Sequence, residues 1–327
     1  MREQDRSHTR SPMHIIRPTL SAALQPTPAP VDAGYCATIG FFDGVHLGHQ
    51  FLLRQVEAEA AERGLRSMAV TFEEHPRAAL DSQYQPRLLG TTDDTLTWLA
   101  ATGINACALL RFDRAMAALS AADFMREYLQ QQLGVRCLVI GYDHHFGHNR
   151  QEGFEDYVRY GRALGMDVVP ALPLETCDFT VSSSAIRRFL DAGHVERAAE
   201  GLGRPFSLRG TVAEGRKVGR RIGFPTANLR PADPHLLVPR IGVYAVWAEI
   251  TEGRFPAMLN IGRRPTLNNG SDISIEAHLI GFNGNLYNQP LTLHFVRRLR
   301  DEMTFPSLES LTQQLEQDAH EALLALK

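Results

Sequence analysis

The chain has 327 residues, of which 44% are hydrophobic and 22% charged, and its formal net charge is −3. This length predicts about two domains of ordinary size, and the composition excludes collagen-like, low-complexity and largely disordered proteins. The charge balance gives no overall positive field of the kind that attracts nucleic acid. The sequence has no run of 18 apolar residues and no signal-peptide type of apolar core, so we expect no membrane partner.

The four cysteines indicate a reducing compartment rather than a disulfide framework. Cys36, Cys107 and Cys137 lie in apolar, strand-like runs. None of the four cysteines, which include Cys177, forms a C-x-x-C pair. A chain of this length can build its core without cross-links. We therefore expect free buried thiols and a cytoplasmic protein.

The beginning of the chain differs from the rest. Residues 1–30 are polar, rich in proline and without periodicity, as is typical of disordered or extended segments. Residues 1–12 carry no motif, and we expect them to form a disordered lead whose removal leaves activity intact.

From Tyr35 onward, apolar strands alternate with amphipathic helices. The predicted strands are Tyr35–Ile39, Ser67–Phe72, Ile104–Leu110, Val135–Ile140 and Met166–Pro170. The predicted helices are Leu47–Arg63, Thr92–Ala101, the stretch from Ser120 to Gly134, Gly153–Leu164 and Ser182–Leu190. This alternation predicts a Rossmann-like domain over residues 13–201, with a doubly wound parallel sheet covered by helices on both faces. Such sheets bind ligands where a strand passes into its helix.

The pattern changes near Leu202, and the rest of the chain predicts a second domain over residues 202–327. Its period-2 runs are Phe206–Val212, Phe224–Leu229, Gly242–Ile250, Ala257–Ile261, Ile273–Ile280 and Leu291–Val296. Short alternating strands separated by Gly, Pro and Asn are typical of an antiparallel barrel. The tail from Ser307 to Leu326 predicts one closing amphipathic helix. We expect a fragment that starts near Gly203 to fold by itself.

The turn after the first predicted strand reads Gly40-Phe-Phe-Asp-Gly-Val-His-Leu-Gly-His49. Gly44 and Gly48 let a phosphate approach the backbone, and the following helix N-terminus favours an anion. His46 and His49 are three positions apart, so both can donate hydrogen bonds from one helix face. The pattern predicts a phosphate site, although the dinucleotide fingerprint is absent. A tight turn with incidental histidines and a zinc pair are the alternatives.

A second helix start carries Val181-Ser-Ser-Ser-Ala-Ile-Arg187. Hydroxyls and an arginine at this place suit the outer phosphates of a nucleotide. Taken alone, the same residues also fit an ordinary serine N-cap with a surface arginine.

A glycine-rich loop opens the second domain. Gly215, Gly219 and Gly223 recur at four-residue spacing, which gives a backbone able to surround phosphates. Thr226 and Asn228 follow, and in an extended chain their oxygen atoms share one face. Such hard oxygen ligands suit Mg²⁺ beside ATP, whereas a plain Pro-Thr turn is the alternative. The basic residues of the loop fit a phosphate clamp or a solvated loop better than a nucleic-acid site.

Together these motifs resemble the bacterial bifunctional riboflavin kinase/FAD synthetase family. G-x-F-D-G-V-H-x-G-H is followed by S-S-S-x-I-R, and the second half is similar to the riboflavin kinase module, so the resemblance runs from about Met13 onward. It implies an FMN adenylyltransferase domain over 13–201 and a riboflavin kinase domain over 202–327. Such a protein would phosphorylate riboflavin with ATP to FMN, and would then adenylylate FMN with a second ATP to FAD and pyrophosphate.

The resemblance also implies roles for residues of the first domain. His46 and His49 would be catalytic and would hold phosphates during adenylyl transfer, while His75 and Asp143 would lie on the flavin side. The positions implied for ATP and phosphate binding are Gly40, Phe42, Asp43, Gly44, Gly48, Ser183, Ser184 and Arg187.

In the second domain the resemblance makes Glu276 the catalytic base, which would accept the proton of the riboflavin 5′-hydroxyl. By strand alternation Glu276 shares a face with His278, and a lone strand glutamate would otherwise be a solvated one. Thr226 and Asn228 would bind Mg²⁺. The implied ATP-binding residues are Gly215, Gly219, Gly223 and Pro225, and the implied flavin-side residues are Asn260, at the start of a loop, Arg300 and Phe305.

The sequence departs from the family pattern at three positions. Glu74 replaces a proline, His144 stands where phenylalanine is usual, and Asn288 replaces a glycine. Asparagine tolerates left-handed backbone well, so we expect the turn at Asn288 to survive. The histidine-rich loop around Asp143 and His145 also allows a metal cluster as an alternative.

Two other functions remain as alternatives. One is a flavin-binding or regulatory protein without turnover, which the complete set of implied catalytic residues disfavours. The other is a nicotinamide- or pantetheine-type adenylyltransferase, which has a similar H-x-x-H site but is disfavoured by the fused barrel.

Overall fold

The computed structural model describes residues 12–18, 34–141, 144–148, 152–175, 178–214, 222–265 and 271–327. Its contacts divide the chain into two compact units. The first comprises Met1–Pro86 and Thr92–Cys177, and the second comprises Arg87–Thr91 and Asp178–Lys327. The predicted lead lies outside the described residues except for its last position.

The first unit is built on a six-stranded parallel sheet, as predicted. Its strands are β1 (His14–Ile16), β2 (Tyr35–Ile39), β3 (Arg66–Phe72), β4 (Ala106–Leu110), β5 (Val135–Ile140) and β6 (Asp167–Pro170). They lie in the order β1-β4-β3-β2-β5-β6, and each neighbouring pair is parallel. β1 was not predicted, because three residues show no periodicity and this strand depends on its pairing with β4.

The helices of the first unit connect these strands. They are α1 (Leu47–Glu62), α2 (Pro76–Leu80), α3 (Thr92–Thr102), α4 (Arg114–Ala117), α5 (Ala121–Phe124), a π-helix over Met125–Gln132, and α6 (Phe154–Leu164). The helix predicted from Ser120 thus changes after one turn to π-helical bonding, which is rare beyond a single turn. Its end shows this geometry, since the Leu133 N–H donates to the Tyr128 carbonyl at 3.0 Å.

Strand alternation sends side chains to both faces of the sheet. Cys36 and Cys107 pack into the cluster that holds Leu53 of α1, whereas Ala37 and Ala108 pack on the opposite face. Among the described cysteines, Cys36, Cys107 and Cys137 are buried and free, as predicted. Burial raises the pKa of the Cys107 thiol to about 12, so that thiol stays protonated.

The second unit contains a closed antiparallel barrel, also as predicted. Its strands are β7 (Ser207–Ala213), β8 (Ala227–Pro231), β9 (Gly242–Ile250), β10 (Gly253–Pro265), β11 (Ser271–Leu279) and β12 (Pro290–Arg300). Their order is β10-β11-β8-β7-β12-β9, closed by the pairing of β9 with β10. Asn260 lies inside the long strand β10, so the prediction that a loop begins at this residue is wrong.

Three further helices lie among the described residues of the second unit: α7 (Ser183–Ala192), α8 (Val195–Leu202) and α9 (Leu308–Ala325). Ile186 and Leu190 of α7 join the same buried cluster as Phe206 and Leu208 of the barrel. A fragment meant to fold alone should therefore begin before α7 rather than near Gly203. The functional boundary between residues 201 and 202 stays a prediction. Within the described chain, no helix has both the length and the apolar character needed to cross a membrane.

Candidate active sites

The turn between β2 and α1 has an unusual backbone. The φ angle is +43° at Phe42, +79° at Gly44 and +37° at Val45. Such angles are easy for glycine but strained for a β-branched residue, and strain of this kind concentrates at functional sites. Phe42 and Val45 are buried in the core beside α1, so packing holds the turn in place. The Phe42 ring also lies 3.3 Å from where a Cβ would stand at Gly40.

The two predicted histidines meet at the start of α1. His46 is the N-cap residue, and its Nδ1 accepts a hydrogen bond from the backbone N–H of His49 at 3.3 Å. The two rings stack with centroids 3.6 Å apart and an interplanar angle of 17°. Since Nδ1 of His46 is an acceptor, its Nε2 carries the proton and is a donor. Both rings therefore lie where free backbone N–H groups and the helix dipole favour an anion.

His49 is partly buried, and one of its ring nitrogens lacks a hydrogen bond. Its Nδ1 is a buried polar atom with no hydrogen-bond partner, and the edge of its ring contacts Phe42 with centroids 5.2 Å apart. Burial, together with the charge of His46, lowers the pKa of His49 well below its ordinary value of 6.5. His49 is thus a neutral imidazole near pH 7, and an unsatisfied buried polar atom of this kind is costly unless a ligand completes it.

This burial predicts that the first unit loses stability in mild acid. Because the folded-state pKa of His49 is lowered, the unfolded chain binds the extra proton as pH falls below 6.5. The free energy of unfolding should then fall by up to about 1.4 kcal/mol per pH unit from this residue alone. Trp98 and Trp247 are the two tryptophans of the chain, so a Trp247→Phe background makes Trp98 fluorescence a reporter of the first unit.

The measurement is urea unfolding of that background at about pH 7.5 and about pH 5.5, with and without His49→Asn. We expect the pH dependence to be shallower in the His49→Asn protein. Equal slopes in the two proteins would show that His49 titrates normally in the folded state.

His75, assigned to the flavin side, is the N-cap of α2. Its Nδ1 accepts from the Arg77 N–H at 3.2 Å, and its ring contacts Phe41 edge-on at 4.9 Å between centroids. Pro76 occupies the first helical position, which suits a residue without an N–H. The local helix therefore forms even though Glu74 replaces the proline of the family pattern, and it places His75 next to the turn after β2.

The histidine-rich loop is held mainly by aromatic packing. Phe146 stacks on Tyr157 with centroids 4.3 Å apart, His145 Nδ1 is bonded to the Glu152 carbonyl at 2.8 Å, and the His144 ring lies 6.2 Å from that of Phe146. Asp143 lies outside the described residues. In the parts of the chain that are described, no three His, Cys, Asp or Glu side chains are grouped to hold a metal.

The serine-rich element forms the start of α7. Ser182 is its N-cap, with Oγ accepting from a backbone N–H three residues on at 3.2 Å, and Ser183 and Ser184 follow in the first turn. Arg187 Nε donates to the Arg87 carbonyl at 2.7 Å. This element belongs to the second unit and the paired histidines to the first, so their assignment to one ATP site stays a prediction.

In the second unit, three polar side chains form a row across neighbouring strands. Asn228 of β8 is directly opposite Glu276 of β11, which is directly opposite Asn260 of β10. Opposite residues of an antiparallel pair share a face of the sheet. Their sequence neighbours, such as Ala227 and Ile275, are buried in the barrel core, so the row faces the outside. A carboxylate is thereby held between two amides.

Two members of this row, Glu276 and Asn260, line a cavity of about 300 Å³ on the outside of the barrel. Asn260, Glu276 and Thr226 are on its polar side, and Leu311 and Leu315 of α9 contribute apolar surface. Its remaining lining residues are Ile222, Phe224, Val243, Met258, Leu259, His278, Arg300, Glu302, Met303, Phe305 and Asp318. The cavity therefore suits a ligand that has both a polar and an apolar part. It brings together five of the ten residues predicted for the kinase reaction: Thr226, Asn260, Glu276, Arg300 and Phe305.

A second cavity, of about 330 Å³, lies beside the first. Its lining comes from the start of β8, from β11 and from the turn between β11 and β12: Val212, Pro225, Thr226, Ala227, Ala277, Leu279, Phe282, Asn283, Gly284, Asn285, Leu286 and Tyr287. Thr226 lines both cavities. Two ligands placed in them would approach each other at this residue.

The predicted turn residues around the second cavity have the expected backbone. φ is +62° at Asn288, and its N–H donates to the Val212 carbonyl at 2.8 Å, so the turn survives the change from glycine as predicted. Gly223 has a φ of +84°, an angle that glycine adopts without strain. Gly215 and Gly219 lie outside the described residues.

Arg300 lines the first cavity, but its guanidinium is occupied. Nε and Nη2 bind the two carboxylate oxygens of Asp318 at 2.8 and 2.6 Å, and Gln314 also donates to Asp318 at 3.0 Å. Asp318 is fully buried on α9. This ion pair attaches α9 to the end of β12, which the flavin-side assignment of Arg300 did not anticipate.

Removing the charge of Asp318 should destabilise the second unit. Asp318→Asn leaves the largely buried Arg300 guanidinium without its counter-ion, and breaking such a pair costs about 3 kcal/mol or more. In a Trp98→Phe background, urea unfolding followed by Trp247 fluorescence measures this loss. Glu249→Gln is the control, because the Glu249–His294 pair is exposed and should contribute less than about 1 kcal/mol. Equal losses in the two variants would contradict the role given to the buried pair.

Sequence reasoning assigned no site role to three polar residues that line the first cavity, His278, Glu302 and Asp318. Asp318 lies on the buried stripe of α9 together with Leu315 and Ala322. A carboxylate at an apolar position of an amphipathic helix was the available indication, but its partner on β12 is not visible in the sequence.

Comparison with known proteins gives a consistent result for both units. Residues 29–185 match the family model described as FAD synthetase, and residues 202–326 match the model described as riboflavin kinase. A bifunctional riboflavin kinase/FMN adenylyltransferase from Pseudomonas fluorescens is 38% identical, over 86% of this chain and 90% of that protein. The chain belongs to this family.

Other matches extend over most of the chain. The bifunctional riboflavin kinase/FMN adenylyltransferase of Haemophilus influenzae is 36% identical, over 88% of this chain and 93% of its own length. A crystal structure described as that of a macrolide-efflux protein from Streptococcus pneumoniae superposes with a TM-score of 0.83 at 30% identity, covering 94% of this chain and 98% of that one. The fold of this chain is thus similar to that structure along nearly its whole length.

Proposed function

We propose that each of the two reactions of this bifunctional enzyme has its own site, one in the barrel and one at the turn after β2. The chain phosphorylates riboflavin with ATP to FMN, and adenylylates FMN with a second ATP to FAD and pyrophosphate. The observation that carries the kinase assignment is the Asn228–Glu276–Asn260 row. Glu276 and Asn260 of this row line a cavity that shares Thr226 with a second cavity.

The kinase reaction is assigned to these two cavities. Riboflavin occupies the cavity of about 300 Å³, with its ring against the apolar side and its ribityl chain along the polar row. ATP occupies the neighbouring cavity, so that the γ-phosphate and the 5′-hydroxyl meet at Thr226. Glu276 accepts the hydroxyl proton as the oxygen attacks phosphorus, and ADP leaves. The amides of Asn228 and Asn260 keep the carboxylate in position.

A divalent metal accompanies ATP in reactions of this kind, and we assign Mg²⁺. The donor set beside the second cavity fits it, because Thr226 and Asn228 supply hard oxygen atoms next to the Glu276 carboxylate. When bound there, the ion would neutralise charge on the phosphate oxygens. The residues themselves hold the acceptor hydroxyl and receive its proton.

The adenylyl transfer is assigned to the first unit. His46 and His49 each donate one N–H, and with the free N–H groups of α1 they bind the phosphates of ATP. A phosphate oxygen of FMN attacks the α-phosphate, and pyrophosphate leaves. A neutral His49 ring suits this task, since it stabilises developing charge without a fixed positive charge that would retain the product. The assignment of Ser183, Ser184 and Arg187 to the outer phosphates rests on their motif.

The direct test supplies riboflavin, ATP and Mg²⁺ to the purified protein and separates flavins and nucleotides by chromatography. FMN and ADP should appear first, followed by FAD and pyrophosphate. Binding of riboflavin without release of either ADP or pyrophosphate would show a flavin-binding protein instead. The activities also agree with the expected cytoplasmic location, where riboflavin and ATP meet.

A further inference from the structure

His278 lies on the same strand as the proposed base, two residues beyond Glu276. Strand alternation puts both side chains on one face, and both line the cavity of about 300 Å³. Thr226, at the junction of the two cavities, lies on the neighbouring turn that leads into β8. The contacts that hold this turn against β11 therefore set how the two proposed substrates are placed relative to each other.

The backbone pairing between the two strands stops just short of Thr226. Its register pairs Glu276 with Asn228 and Ala277 with Ala227. Beyond Ala227 the connection is continued by a side chain, because His278 Nδ1 lies 2.8 Å from the carbonyl oxygen of Pro225. A carbonyl oxygen only accepts, so Nδ1 carries the proton and donates.

The same ring makes a second contact with this turn. The rings of His278 and Phe224 meet edge-on, with centroids 5.2 Å apart. His278 thus contacts both residues that precede Thr226 in the chain, one through a hydrogen bond and one through its ring. The half-buried imidazole therefore restrains the turn at the place where the backbone ladder has ended.

We propose that His278 is a positioning residue of the kinase reaction, which fixes Thr226 relative to Glu276 through its hydrogen bond to the Pro225 carbonyl. The proposal rests on the roles assigned above to Thr226 and Glu276. Small displacements of reacting groups reduce rates strongly, since a shift of about 1 Å can cost 10²-fold. His278 is expected to act on the rate of phosphoryl transfer more than on the binding of riboflavin.

Two substitutions separate the hydrogen bond from the bulk of the ring. His278→Asn keeps an N–H donor at the same distance from the backbone as Nδ1, whereas His278→Phe keeps the aromatic contact and removes the donor. We expect His278→Phe to lower kcat for FMN formation roughly 10- to 100-fold, and His278→Asn to stay within about threefold of the parent. The dissociation constant for riboflavin, measured by flavin fluorescence without ATP, should change less than about twofold in both.

The full-length protein supplies its own controls. FMN-to-FAD conversion and the thermal transition reported by Trp247 should stay at parent values in both variants. If His278→Phe does not fold, His278→Gln replaces it, because the Gln amide reaches past the position of Nδ1 and should lose activity while Asn keeps it.

The outcomes are distinct. Parent-like kcat in His278→Phe or His278→Gln, with Glu276→Gln inactive, would overturn the positioning role and leave the proposed function standing. A parallel loss of kcat, riboflavin affinity and thermal stability would show a merely structural residue and would also overturn it. Full kinase activity in Glu276→Gln would instead contradict the proposed function itself.

Discussion

Glu276→Gln should reduce FMN formation by roughly 10²- to 10⁴-fold, the usual contribution of a positioned general base. The amide has nearly the same shape as the carboxylate, and it can still lie between Asn228 and Asn260, but it cannot accept the proton of the 5′-hydroxyl. The loss should fall on kcat, because the cavity that holds riboflavin keeps its apolar lining. The measurement is the initial rate of FMN and ADP release from riboflavin and Mg-ATP.

The same protein should convert added FMN to FAD at nearly the parent rate. Glu249→Gln is the matched control, because Glu249 is an exposed carboxylate on β9 that pairs with His294, and its FMN formation should be unchanged. A folded Glu276→Gln protein that has lost both conversions would contradict the assignment of two independent sites.

His49→Ala should have the opposite effect and reduce FMN-to-FAD conversion by roughly 10²- to 10³-fold, as expected for loss of one donor to a developing phosphate charge. The substitution removes a partly buried neutral imidazole from the start of α1 and with it the ring that stacks on His46. The proposed kinase site lies in the barrel, so riboflavin phosphorylation should continue at the parent rate. FMN would therefore accumulate when riboflavin and ATP are supplied together.

The control for His49→Ala is His14→Asn, which changes an exposed histidine on β1 of the same unit. Its FAD formation should equal that of the parent. His49→Asn then separates packing from hydrogen bonding, since the amide restores one N–H donor at reduced volume. Unchanged FAD formation in His49→Ala would mean that the phosphate site lies elsewhere in the first unit.

The sequence by itself determined the elements whose cause is local. β2, β5 and β9 have the predicted bounds, because a short buried run between glycine or turn residues has few alternatives. The helix start at His46 was visible for the same reason: the glycines and histidines that make it are adjacent in the chain. Strand–helix alternation and the later period-2 runs were enough to predict both folds.

Tertiary structure decided what depends on partners far along the chain. β1 exists only through β4, α7 and α8 complete the core beneath the barrel, and Asp318 is tolerated on α9 because Arg300 of β12 meets it. The register between strands likewise decided the geometry of the proposed kinase site, because a one-residue slip of β11 would turn Glu276 into the core. Periodicity indicates which face of a strand a residue occupies, but pairing between distant strands determines its neighbours. Glu276 could therefore be singled out from the sequence, whereas its place between Asn228 and Asn260 could not.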